Sequence, residues 1–334
     1  MSAHLFGLTD RTFAYSHSLG RNEFAGTGFR NPMDVAITAD GTTYVVNRSR
    51  EDRPDGLRIS IVTLDEQYIS EFASHGEGDG QFIWPSSIAL DDKNNVYVSD
   101  EWLNRITIFD KDGEYLGKWG NTGTGDGELN HPAGIAIIGD TLVLTDSQNH
   151  RVQKFGLDGT FKGKFGGPGN GQSQFNLPWG ISIDRNGLVY VADWRNDRVQ
   201  QFNMDGEWQA TFGQSGTNVG QFKRPASVCT DEDGDIYVAD WQNNRVQILS
   251  ADGRFVAQLR GDHVLSQWGR EKLISNPDML RQRAIAFAND SGNFEREFAQ
   301  PCAVKIDHQG RLVVVENWSG RIQVYQKTRE PMLV

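Results

Sequence analysis

The sequence predicts an all-β fold, a six-bladed propeller of four-stranded antiparallel blades, and three observations carry that prediction. A proline preceded three positions earlier by Phe or Leu recurs at Pro32, Pro85, Pro132, Pro178, Pro225 and Pro301. The intervals between these prolines are 53, 47, 46, 47 and 76 residues. Each unit then holds four short apolar runs, parted by Asp-x-x-Gly or Asp-Gly hairpin signals. Antiparallel four-strand units at a period of roughly 40–50 residues are what a propeller blade looks like in sequence.

The elements follow in order. In the clearest unit, Pro178–Gly213, the strands are ISI, LVYVA, RVQQF and WQATF. Thr12–Gly20 matches a fourth, outermost strand, and the last unit ends after three, at Arg321–Lys327. The N-terminal strand is therefore predicted to complete the last blade, which joins the termini and removes open edges. Gly accounts for 37 of 334 residues, above the roughly 7% that is usual, because many tight turns need positive φ. Residues 1–334 are read as one propeller domain, interrupted by an insertion at about 262–296 between blades 5 and 6. Within it, SNPDMLRQRAIAFAN carries helix signals: Ser275 or Asn276 to cap, Pro277 in the first turn, and Asp278 at the positive end of the dipole. Leu280, Ala284 and Phe287 fall at helical spacing, and HVLSQWGREKLI suggests a second helix anchored by Trp268. A segment of this length acts as a lid over the channel mouth or as a plug over a blade seam.

Composition excludes several classes. The net charge of −11 disfavours a general nucleic-acid binder and an anionic membrane surface as partner. No run approaches the ~20 apolar residues of a membrane helix, and no signal-peptide pattern opens the chain. Two cysteines, Cys229 and Cys302, make neither a disulfide framework nor a Cys-based zinc site. The expectation is a cytoplasmic monomer.

The repeated motif, P-x-G-(I/V)-x-(I/V)-D-x-x-G-x-(I/V)-Y-V-A-D-x-x-N-x-R-V-Q-x-F, resembles the NHL repeat from Thr12 to Lys327. The resemblance implies a six-bladed propeller and leaves function open, since the family includes RNA binders, interaction scaffolds and a lyase. The lyase, peptidyl-α-hydroxyglycine α-amidating lyase, implies zinc held by histidines of several blades, with a catalytic tyrosine and arginine. Here the inner strands begin without histidine, and His75, His131, His150 and His263 fall in connecting loops at unrelated positions. That zinc site does not carry over residue by residue.

An acidic residue stands five positions before an arginine in Asp100–Arg105, Asp146–Arg151, Asp193–Arg198, Asp240–Arg245 and Glu316–Arg321. Recurrence in blade after blade points to structure: a carboxylate–guanidinium pair, partly bidentate, across the loop between strands two and three. Blade 1 departs, with Asn47 in the acidic position and six extra residues before Arg58. GEGDGQF, GTGDGEL and GPGNGQSQF lack the Lys-Ser/Thr ending of a phosphate loop and precede strands.

Function is expected where the repeat breaks. The Arg48–Gly56 and 262–296 insertions both use loops of one face, the working face. Trp84, Trp102, Trp179, Trp194, Trp241, Trp268 and Trp318 map there too, an aromatic rim suited to a planar ligand, a sugar or a peptide. Trp194 and Trp241, at equivalent positions, would equally serve to pack between blades. Aligned inner strands place Asp34 and Lys305 among small residues, in blades that closure makes neighbours. They form either a buried ion pair locking the seam or a channel-mouth site with acid, base or anchoring roles. Arg48 and Glu101 are candidates for the same rim. The ligand-binding set is thus Asp34, Arg48, Glu101, Trp102, Trp179, Trp194, Trp241, Trp268, Lys305 and Trp318, with Asp34 and Lys305 the catalytic candidates. The expected function is binding of a small molecule, peptide or protein at a mouth covered by the insertion. A lyase or hydrolase using the same mouth is the alternative. No metal ligand or cofactor is assigned, zinc or calcium being the ions to test for.

Overall fold

A computed structural model describes residues 11–49, 52–288 and 296–329. Six four-stranded antiparallel sheets make the propeller, and their inner strands start at the six prolines of the repeat. Blade 1 runs Pro32–Ile37, Thr42–Asn47, Arg58–Thr63 and Tyr68–Phe72. Blade 6 takes Pro301–Ile306, Arg311–Glu316 and Arg321–Arg329 from the C-terminal end. Its outer strand is Arg11–Leu19, paired antiparallel with Arg321–Arg329 from Arg11↔Arg329 to Leu19↔Ile322. No helix among the described residues is long and apolar enough to cross a membrane.

The core lies in layers between blades, because strands buried on both faces present side chains to both neighbours. Phe29, Phe82, Leu129, Phe175, Phe222 and Phe298, three residues before each proline, are all buried. Around the channel the inner strands nearly touch. A Cβ on Gly134 would lie 2.5 Å from Trp179 O, and one on Gly180 2.5 Å from Ala226 O, so these positions admit only glycine.

The carboxylate–arginine pairs form as expected in four blades. Arg151, Arg198 and Arg245 each donate Nε to the aspartate five residues earlier, at 2.8, 2.8 and 2.7 Å. Arg321 grips Glu316 through two nitrogens, the bidentate case. The rest of the guanidinium holds carbonyls of the incoming connection, as Arg245 does with Thr217, Asn218 and Gln221. Blade 2 corrects the expectation. Asp100 spends its oxygens on the amides of Ile83, Trp84, Trp102 and Leu103. Arg105 reaches only the carbonyls of Glu77, Gly78 and Gln81, and its Nε has no partner. In blade 1, Arg58 pairs with Glu71 at 2.8 Å instead.

The insertion forms helix α1 (Gln267–Ser275) and helix α2 (Pro277–Ala288). Ser266 caps α1 by accepting from Gly269 N at 3.1 Å. The side chains of Leu280, Ala284 and Phe287 lie outside the described residues. Trp268 is buried, edge-on to Phe29 at 6.1 Å, in a cluster with Leu19, Val62 and Leu64. The buried Glu66 carboxylate accepts from Gly20 N and Trp268 N. Helix α1 therefore straps the outside of the seam between blades 6 and 1.

Candidate functional site

The working face is built from the loops between strands two and three and the connections between blades. The longer loop of blade 1 raises a wall on it. Ser49 adopts φ 59° and donates Oγ to Arg53 O at 2.6 Å, which folds the loop back into the short 3-10 turn Pro54–Gly56. On either side of that wall lies a cavity. The larger, about 650 Å³, is lined by Asp52, Pro54, His75, Ile83, Trp84 and Trp102. The smaller, about 280 Å³, sits in the channel mouth among Met33, Trp179, Trp194, Trp241, Cys302 and Asn317. Arg48 and Ser49 line both.

Arg48 is held on two sides. Its Nη1 donates to Glu101 Oε1 at 2.9 Å, and its guanidinium lies over the Trp84 ring at 4.9 Å. Trp84 meets Trp102 edge-on at 5.1 Å, and Trp102 remains 53% exposed. Burial pushes the Glu101 carboxyl above its ordinary range, against the opposing pull of Arg48. Across the mouth, Trp194 stands 6.1 Å from Trp179 and 6.3 Å from Trp241, with Arg224 over its ring at 4.3 Å. The three indoles pack on one another and still line the cavity.

Asp34 and Lys305 meet across the closure seam at 3.2 Å. Asp34 Oδ2 also accepts from Ser87 Oγ at 2.6 Å and Ile88 N at 3.2 Å, so one carboxylate links blades 6, 1 and 2. The pair lines neither cavity.

Two further expected site residues, Trp268 and Trp318, also stand away from both cavities. Trp268 is 4% exposed beneath α1, because the aromatic that anchors a docked helix must face the body it docks on. Trp318 is 68% exposed and lines neither cavity. Among the described residues of the insertion, 262–288 and 296, none lines either cavity, and α1 packs on the outer seam. His75, Met33 and Asn317 were not among the expected ligand residues, whereas Trp84, expected on the aromatic rim, lines the larger cavity. Trp84 carried a signal, since it precedes Pro85 at the head of an inner strand.

Among the described residues, one group of acidic or metal-ligating side chains is compact enough to share a cation: Asp231, Asp233 and Asp235, in the first hairpin of blade 5. A cation already stands there. Lys327 Nζ donates to the three carboxylates at 2.5, 2.7 and 2.7 Å, and Arg11 pairs with Asp235. The histidines do not converge: His131 is bonded to Asn130, His150 accepts from Leu177 N, and His263 is bonded to Ser18. A histidine-held zinc does not fit these residues.

The NHL repeat model matches residues 175–202 and 222–249, and a 6-bladed beta-propeller family model matches residues 79–161. Together with the topology, these matches bear out a six-bladed propeller fold carrying NHL repeats. No curated protein sequence is similar enough to count as a match. Among solved structures, a structural-genomics protein of unknown function from Bacteroides thetaiotaomicron VPI-5482 is 17% identical, with TM-score 0.65 over 95% of this chain and 76% of that one. A virginiamycin B lyase from Staphylococcus aureus is 12% identical, with TM-score 0.56 over 95% of this chain and 99% of that one. A chain of a nidogen/laminin complex is 19% identical, with TM-score 0.55 over 76% of this chain and 93% of that one. At these identities the likeness is one of fold.

Proposed function

We propose that the working face binds a small organic molecule in the two cavities that meet at Arg48. The observation that carries this is their common wall: one restrained arginine between a Trp84–Trp102 pair and a Trp179–Trp194–Trp241 row. A cavity of about 650 Å³ falls within the roughly 300–1,000 Å³ of small-molecule sites, and its lining joins the indoles of Trp84 and Trp102 to polar groups that could orient a ligand. Ligand-detected NMR with a library of small aromatic compounds tests it. Binders are expected for the unsubstituted protein, with weakened binding in Trp102→Ala or Trp194→Ala. A library without binders, or binders indifferent to both substitutions, refutes the reading.

A second reading makes the same face a lyase centre. It draws on the shared fold with streptogramin B and virginiamycin B lyases and on Glu101, a carboxyl that burial raises above its ordinary range beside the Arg48 guanidinium. A catalytically inactive virginiamycin B lyase has been solved with quinupristin, which makes that compound the first substrate to try. Elimination leaves the total mass unchanged, as one ring-opened isomer or as fragments that sum to the substrate, whereas hydrolysis adds water. Unchanged quinupristin across the working pH range counts against its being the substrate.

A further inference from the structure

We propose that the working face selects ring-bearing carboxylates, with Arg48 as the anion anchor; this rests on the small-molecule reading above. Among the described residues, Arg48 is the one Lys or Arg lining the two cavities, and it lines both. A guanidinium offers five N–H donors in a planar fork, and Arg48 spends one of them, on Glu101. Its side chain is 20% exposed, and among the described residues Glu101 is the side-chain acceptor it meets. The fork is also already in place. Glu101, itself 7% exposed, fixes one edge, and Trp84 lies beneath the plane, so little side-chain freedom remains to be lost on binding. Planar, bidentate capture of a carboxylate is what such a fork does best. Trp102 offers the ring surface beside it.

The charges around the anchor define the selectivity. Glu101 is a positioning residue: it holds Arg48 and at the same time partly cancels its charge. Asp52 and His75 line the larger cavity together with Arg48. A cationic ligand would meet Arg48 at the wall of either cavity. A neutral ring would bind without using the free edge of the fork.

The test compares 2-naphthoate and indole-3-acetate with their primary amides, titrated by calorimetry. The acid–amide pairs share ring and shape and differ in charge. Expected is roughly tenfold tighter binding of the acids, the gain of a charge-assisted bond. That preference should vanish in Arg48→Gln. In Glu101→Gln, which keeps an acceptor for Arg48 and removes the competing charge, acid binding should tighten several-fold while amide binding stays put. A structural role alone would move acid and amide together. Should Arg48→Gln fail to fold, Arg48→Lys keeps the charge and loses the fork, and should lose most of the preference. Equal binding of acids and amides, both weakened by Trp102→Ala, refutes the anion anchor and leaves the small-molecule site standing. Absence of any binding by acids and amides alike, in a protein that also fails the broader aromatic library, brings down both.

Discussion

Replacing Lys327 with Met removes the cation from a cluster of three aspartates and opens the join between blades 5 and 6. The side chains of Lys327, Asp231 and Asp235 are 10%, 7% and 1% exposed, so water does little to offset the loss. Breaking a buried pair by deleting one partner costs about 3–5 kcal/mol. Two contacts remain in the variant: Arg11 still pairs with Asp235, and Tyr237 Oη still donates to Asp231 at 2.7 Å. The lower end, about 3 kcal/mol, is therefore expected. Urea unfolding followed by circular dichroism and tryptophan fluorescence reads it. Calcium supplies the internal control. Millimolar calcium should leave the midpoint of the unsubstituted protein unchanged, because the ammonium stands where the ion would, and should recover part of the loss in Lys327→Met. A variant within about 0.5 kcal/mol of the parent, the size of an ordinary surface substitution, refutes the reasoning. So does a parent protein that calcium stabilises as much as it does the variant.

Three further outcomes follow from the structure. Asp34→Ala strands Lys305, Ser87 and Ile88 and should cost about 3 kcal/mol, while Asp34→Asn with Lys305→Met recovers most of it, as read by the same urea curves. Trp268→Ala should cost about 3–5 kcal/mol and expose 262–288 to limited proteolysis, with ligand binding at the working face unchanged. Stability should fall on the alkaline side. Burial works against the Lys327 charge, but its three aspartate partners outweigh that and raise its pKa; burial and then Asp91 push Tyr97 up to about 12. Both groups titrate higher folded than unfolded, so what they contribute is complete below pH ~10 and is lost as pH rises through the folded values. A melting-temperature series from pH 8 to 12 checks this, and a flat profile to pH 12 contradicts it.

The fold was legible because its determinants repeat. Each inner strand is announced by Phe or Leu three positions before a proline, and most hairpins by Asp and Gly at fixed places. The Asp34–Lys305 pair was legible as a break in that repetition, two charges where other blades carry small residues. What failed was whatever depends on distant packing. Asp100 and Arg105 have the spacing of the pairs in other blades, yet Asp100 is drawn off by four amides that spacing does not show. Trp268 read as a rim aromatic because nothing local says which body a helix will dock on. The Lys327 clasp was invisible, since its partners lie more than ninety positions away and Asp-x-Asp-Gly-Asp reads as a turn. Arg48 and Glu101 were legible as rim candidates, but their contact with Trp84 needed blades 1 and 2 side by side.

Soaking crystals of the protein in a fragment set rich in aromatic carboxylates tests the central claim most directly. Bound fragments are expected on Trp84 and Trp102, or on the Trp179–Trp194–Trp241 row, with oxygen atoms within hydrogen-bond reach of Arg48. Fragments found only on the opposite face or the outer strands, with both cavities holding water alone throughout the set, would contradict it.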